Sequence, residues 1–184
     1  AQRDIKERTI RVLHNLSFVE DPSRIFRAIR FEKRFNFQIG KLTRSLIENA
    51  VASDFLKNLS GKRIFSEVQI LLREEHVRSL MKRLNDFGLL KYIHPAVTYS
   101  PSVNRLMKNI ERVMAWYDLL YLDKNCERWF VYFLGMIDRL SAEEAEQLLD
   151  RESVGIFGGA AAIGDAHDAD AIAELPVQDS EGVA

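Results

Sequence analysis

Three arginines spaced three residues apart, Arg24, Arg27 and Arg30, follow an acidic pair, Glu20 and Asp21, in the stretch FVEDPSRIFRAIRF. On an α-helix these arginines fall at roughly 0, 300 and 240 degrees, a face about 120 degrees wide, so they can converge on one ligand. Guanidinium groups are planar forks of donors that match phosphate oxygens or the edge of a nucleobase. Asp21 supplies acceptors where a base presents amino donors, and Glu20 can hold a guanidinium in place. The same residues have a plainer reading. Asp21 is a good helix cap, Glu20 is a favourable charge near a helix N-terminus, and arginines commonly line the wet side of a helix.

The elements that position these groups are read from apolar periodicity. Asp21 as N-cap and Pro22 at the first helical position open a helix running to about residue 35, with Ile25, Ala28 and Ile29 and either Phe26 or Phe35 inward. Further helices are expected at about 42–51 (Leu42, Leu46, Ile47, Ala50 inward), 62–73 (Ile64, Phe65, Val68, Leu71, Leu72) and 76–86 (Val77, Leu80, Met81, Leu84), the last ended by Gly88. GLLKYIHPAV reads as a short helical turn stopped before Pro95. A long helix at about 102–121 carries Leu106, Ile110, Val113, Met114, Tyr117 and Leu120 in register. Its successor at about 126–138 is apolar on nearly every side and is expected to be central. Ser141 with Glu144 forms a capping box opening SAEEAEQLLDR. No convincing alternating strand is found, and the fold class is all-α.

Composition sets the frame. Seven of the 27 acidic residues follow Arg151 and none of the 26 basic ones does, so residues 1–151 carry a surplus of six basic residues. That sign suits a phosphate-bearing partner or an ordinary solvated surface. The segment 152–184 is rich in Gly, Ala and Asp and reads as a weakly structured acidic tail. A lone Cys126 excludes an internal disulfide, no apolar run approaches 18 residues, and the expected location is cytoplasmic with no membrane partner. The opening AQRDIKERTIRVL reads as the middle of a longer chain.

Other signals are weak. Asp168-Ala169-Asp170 has the spelling of a paired-carboxylate metal motif but no preceding Gly-Ser and no strand pattern. His167 precedes Asp168, yet His14, His76 and His94 have no ligand spacing, and no metal site is expected. Trp116, Tyr117, Trp129, Phe130, Tyr132 and Phe133 can be pictured as a base-stacking platform, but at helical spacing they read as core. Lys82, Arg83, Lys91, Arg105, Lys108 and Arg112 offer phosphate contacts or a solvated face.

DIKERTIRVLHNLSFVEDPSRIFRAIRFEKRFNF resembles the neck of bacterial class II tRNA nucleotidyltransferases and poly(A) polymerases. Asp4, Ile5, Ile10, Arg11 and Leu13 match the end of that family's catalytic head, Glu20, Asp21 and Arg24 its E-D-x-x-R motif, and Arg27, Ala28, Arg30 and Phe31 the continuation. SGKRIFSEVQILL, with Arg63 and Glu67, and NDFGLLKYIHP resemble the segments that follow, so the likeness covers about residues 3–97. The resemblance implies that Asp21 and Arg24 pair with the Watson–Crick edge of incoming ATP or CTP, while Arg27 and Arg30 help to hold the nucleotide. It further implies a head–neck hinge remnant at 1–20, a neck at 21–97, and a body at 98–151 that contacts a tRNA acceptor arm or another RNA 3′ end. Family members carry two magnesium ions on a Gly-Ser and Asp-x-Asp motif in an N-terminal head. That motif and the family's Arg-Arg-Asp are not found here, so no catalytic or metal residue is assigned and the chain is expected to be inactive alone. A non-catalytic helical RNA-binding module, whose arginines only clamp phosphates, is the rival reading. A structural fragment with neither activity is a third.

Overall fold

A computed structural model describes residues 2–121 and 126–152, the last three without their side chains. Nine α-helices run through these residues: α1 (Gln2–Lys6), α2 (Ser17–Glu20), α3 (Arg24–Arg34), α4 (Lys41–Ala52), α5 (Gly61–Leu72), α6 (Val77–Asp86), α7 (Pro101–Asp118), α8 (Arg128–Ile137) and α9 (Ala142–Glu152). The all-α reading holds, with one addition. Two-residue strands β1 (Thr9–Ile10) and β2 (Gln38–Ile39) pair in parallel across α3. Such a strand is too short to leave an alternating pattern in sequence. The expectations for residues 153–184, including His167, Asp168 and Asp170, lie outside the described residues. No helix among the described residues is long and apolar enough to cross a membrane.

Helix α3 is the organising element. It packs against α5, α6 and both strands, and Ile25, Phe26 and Ile29 are fully buried, while Phe35 stands outside at 52% exposure. Of the two phenylalanines considered for this stripe, Phe26 is the core residue. The helix starts later than its sequence suggests. Arg24 N bonds Asp21 O at 3.1 Å, Ile25 N bonds Pro22 O at 3.1 Å and Phe26 N bonds Ser23 O at 3.1 Å, a three-residue spacing that winds a tight turn ahead of the α-helical ladder. Asn36 stops α3 in the left-handed region (φ 51), with Phe37 N bonding Glu32 O and Asn36 N bonding Lys33 O.

Glu32 faces inward at the end of α3. Its carboxylate receives both prongs of Arg83 on α6, at 2.7 and 2.8 Å, and the Ile39 N–H of β2 at 3.3 Å. Three elements are thus tied at one buried charge. On the other side of α5, Phe65 meets Phe133 edge-on at 5.3 Å and Trp129 at 6.2 Å, joining α5 to α8. Of the aromatic residues expected in the core, Trp129, Tyr132 and Phe133 are buried, Phe130 and Tyr117 are half-buried, and Trp116 on α7 is 60% exposed; Leu134 is 46% exposed as well, because α8 is covered by α7 and α5 and not on every side.

Two register expectations are corrected. On α4, Leu42 is 62% exposed and Thr43 is buried instead, its hydroxyl accepting Val12 N–H at 3.2 Å. On α7, Val113 is exposed and Val103, Met107 and Met114 are buried, while Leu120 lies past the helix end and is exposed too. With one face covered, the partner's position decides which apolar residues turn inward. The capping box is formed: Ser141 N donates to Glu144 Oε2 at 2.8 Å and Glu144 N to Ser141 Oγ at 3.2 Å.

Candidate functional site

Asp21 sits where α2 ends and the tight turn into α3 begins, with extended backbone (φ −145, ψ 91). Its Oδ1 accepts Ser23 N–H at 3.1 Å and Ser23 Oγ–H at 2.6 Å, which aims Oδ2 outward. That second oxygen lies 3.0 Å from Arg63 Nη2 and 3.8 Å from Arg24 Nε. Burial opposes ionisation of Asp21, but the Ser23 hydrogen bonds and the Arg63 and Arg24 charges outweigh it, and the carboxyl is held below its ordinary range. An ionised acceptor and a guanidinium therefore stand side by side, one turn apart, both partly exposed.

Arg24 is braced from behind. Its Nη1 donates to Ser17 O at 3.3 Å and to Glu20 Oε2 at 3.4 Å, so the Nε edge is the one turned to Asp21. Glu20 is half exposed and also lies 3.6 Å from His14 Nε2. Such a pair contributes at most about 1 kcal/mol to stability, and its consequence is orientation of the guanidinium.

Arg24 and Arg27 line a cleft of about 450 Å³ whose lining also includes Arg11, Val12, Leu13 and His14, and Phe31 one turn beyond Arg27 on α3. Asp21 does not line this cleft and meets it through Arg24. Arg30 lies elsewhere. It lines a separate cleft with Lys33, Arg34 and Arg73, and its Nε is 3.8 Å from Glu74. The structure thus brings Asp21, Arg24 and Arg27 into one neighbourhood with Glu20 beside them, and it sets Arg30 apart.

Two residues of α5 complete the surroundings. Arg63, 42 positions from Asp21, is its closest ionic partner, a role that helical spacing cannot reveal. Glu67 carries a carboxyl raised above its ordinary range, because its burial outweighs the attraction of Arg27, Arg30 and Arg63. The likeness of SGKRIFSEVQILL to a family segment was the only sequence signal for this pair. Among the described residues no group of three or more His, Cys, Asp or Glu side chains could hold a metal ion. No set of these described residues fits paired magnesium ions.

The sequence model of the family described as "Probable RNA and SrmB- binding site of polymerase A" matches residues 36–100. The A-adding tRNA nucleotidyltransferase of Geobacter sulfurreducens is 47% identical over 143 residues, 78% of this chain and 16% of that protein. A solved complex of a CCA-adding enzyme with ATP is 35% identical, with a TM-score of 0.74 over 83% of this chain and 36% of that one. The Thermotoga maritima CCA-adding enzyme complexed with tRNA is 35% identical, with a TM-score of 0.73 over 83% of this chain and 37% of that one. The chain spans well under half the length of these relatives. Sequence, helical order and three-dimensional likeness agree over the described residues, and the chain belongs to the class II tRNA nucleotidyltransferase family, part of whose length it spans.

Proposed function

We propose that this chain is the nucleotide-selecting and RNA-binding part of an enzyme that adds nucleotides to RNA 3′ ends, with residues 21–97 as its neck and 98–151 as its body. The observation that carries the reading is the ionised Asp21 set 3.8 Å from Arg24 at the head of α3. An amino group on a base edge donates to Asp21, and a ring nitrogen or carbonyl accepts from Arg24. A mismatched base leaves one of these groups unsatisfied, at a cost of about 1 to 3 kcal/mol. Glu20 and Ser17 orient Arg24, Arg63 orients Asp21, and Arg27 presents positive charge to the nucleotide from the same cleft. A relative named for A addition, together with CCA-adding enzymes solved with ATP, with CTP and with tRNA, supports nucleoside triphosphates and RNA as the ligands. Metal-assisted transfer falls, on this reading, to the magnesium-binding head that family members carry outside the region matched here.

Titration of the chain with ATP, CTP, GTP and UTP tests this. A preference for particular bases is expected, and Arg24→Ala should abolish it, reducing affinity for the preferred nucleotide about tenfold. Equal binding of all four with a steep salt dependence would instead identify a phosphate clamp, the rival in which the arginines read no base.

A further inference from the structure

A second cleft opens on α3, and neither Asp21 nor Arg24 lines it. It measures about 630 Å³ and is bounded by Arg30, Lys33 and Arg34 from the last turns of α3, and by Arg73, Glu74 and His76 where α5 gives way to α6. Four cationic groups face two carboxylates, those of Glu74 and Glu75. Glu74 is shared between Arg30 at 3.8 Å and Arg34 at 3.5 Å, and among the described residues Lys33 approaches only Glu32, a carboxylate already engaged by Arg83. Arg30 Nε is buried and has no hydrogen-bond partner among the described residues. Arg73 is held by the face of the Trp129 ring, 5.8 Å from its centroid, and has no carboxylate within ion-pair distance among the described residues.

This is a site for an anion, and its walls say which kind. The apolar lining is Ile70 and Leu80, and the one ring among the lining residues is the small imidazole of His76, set against four cationic side chains. So strong a preponderance of cations favours phosphate, and contacts to phosphate leave the base unread. Arg30 is six residues beyond Arg24, about 9 Å further along the helix, and its guanidinium lies over the Phe31 ring, 4.9 Å from the centroid.

We propose that this cleft grips the phosphodiester backbone of an RNA strand, apart from the nucleotide-reading residues at the other end of α3. The inference rests on RNA being a ligand of the chain, and not on Asp21 and Arg24 reading a base. The test uses fluorescence anisotropy of a labelled single-stranded oligoribonucleotide with the full 184-residue chain, together with a parallel ATP titration. The double substitution Lys33→Gln, Arg73→Gln should weaken RNA binding about tenfold and make the dependence of log affinity on log salt shallower by about 1, with ATP binding unchanged. Lys41→Gln with Arg44→Gln, an equal loss of charge on exposed α4 positions outside both clefts, serves as control. Loss of RNA affinity no greater than the control's overturns the proposal, as does failure of the unaltered chain to bind RNA. An equal loss of ATP affinity also overturns it, by assigning the cleft to a nucleotide's triphosphate. If the double variant loses its cooperative melt, Arg34→Gln, at a side chain 56% exposed, replaces it with an expected loss of about threefold. Failure of base reading leaves a different mark, equal binding of the four nucleotides with this RNA effect intact.

Discussion

Side chains that lie near one another on this surface titrate in opposite directions, and the sign of each shift fixes a pH dependence. The Asp54 carboxyl is lowered from 3.8 to about 2, by hydrogen bonds from Lys57 and then Tyr92. Its folded value lies below its unfolded one, so its stabilisation is present above pH 3.8 and is lost as pH falls toward about 2. Asp21 acts with the same sign. Glu67 acts with the other: desolvation raises its carboxyl, so folding is favoured while it is protonated and loses that advantage as pH rises past its ordinary 4.5. Thermal melts between pH 2 and 7 should therefore show Asp54→Asn flattening the acid limb below pH 3.8, and Glu67→Gln raising stability at pH 7 relative to pH 4. A Glu67→Gln variant destabilised at pH 7 relative to pH 4 would reverse the sign assigned to that residue. The candidate residues Glu20, Asp21 and Arg24 were legible as a motif because capping and guanidinium geometry act within one turn. Arg63 was not assigned a role, since nothing local in KRIF points 42 residues back.

At the scale of elements, the ends of helices were as readable as their faces. Gly88 was expected to end α6, and it adopts φ 67 with Gly88 N bonding Asn85 O and Leu89 N bonding Leu84 O, both at 2.9 Å. Leu84 and Leu89 are buried beneath this closure. A Cβ at this position would touch nothing within 4 Å, so substitution isolates the backbone term. Gly88→Ala should cost about 1 kcal/mol, a fall of about 3 °C in Tm, with Gly88→Asn costing less because asparagine tolerates the left-handed region. Equal stability of Gly88→Ala and the parent would show that the turn relaxes to another conformation. The buried sets of α5 and α6 matched their apolar spacing throughout, as both helices are packed along a continuous stripe. The set on α7 did not, because a helix with apolar residues at many angles offers several stripes and the covering helix selects one.

For the molecule as a whole, the buried Glu32 is the point where α3, α6 and β2 are held to one another. Removing its guanidinium partner leaves a carboxylate at 5% exposure with one weak backbone donor and the Lys33 ammonium at 3.9 Å. Arg83→Met should therefore cost about 3 to 5 kcal/mol in urea denaturation, whereas Glu32→Leu with Arg83→Met should lie within about 1 kcal/mol of the parent, since the desolvation of both charges is then avoided. A double variant as unstable as the single one would locate the damage in packing instead of charge. Sequence by itself determined the helical class, most helix positions, the inward faces of α3, α5 and α6 and the acidic–basic motif that opens α3, because each is governed by interactions within a few residues. Tertiary structure alone decided that Asp21 is held by Arg63, that Glu32 is sealed by Arg83, and that Arg30 turns into a cleft away from Arg24 and Arg27. Helical spacing sets the angle at which a side chain leaves its own axis; what stands opposite depends on how distant segments pack.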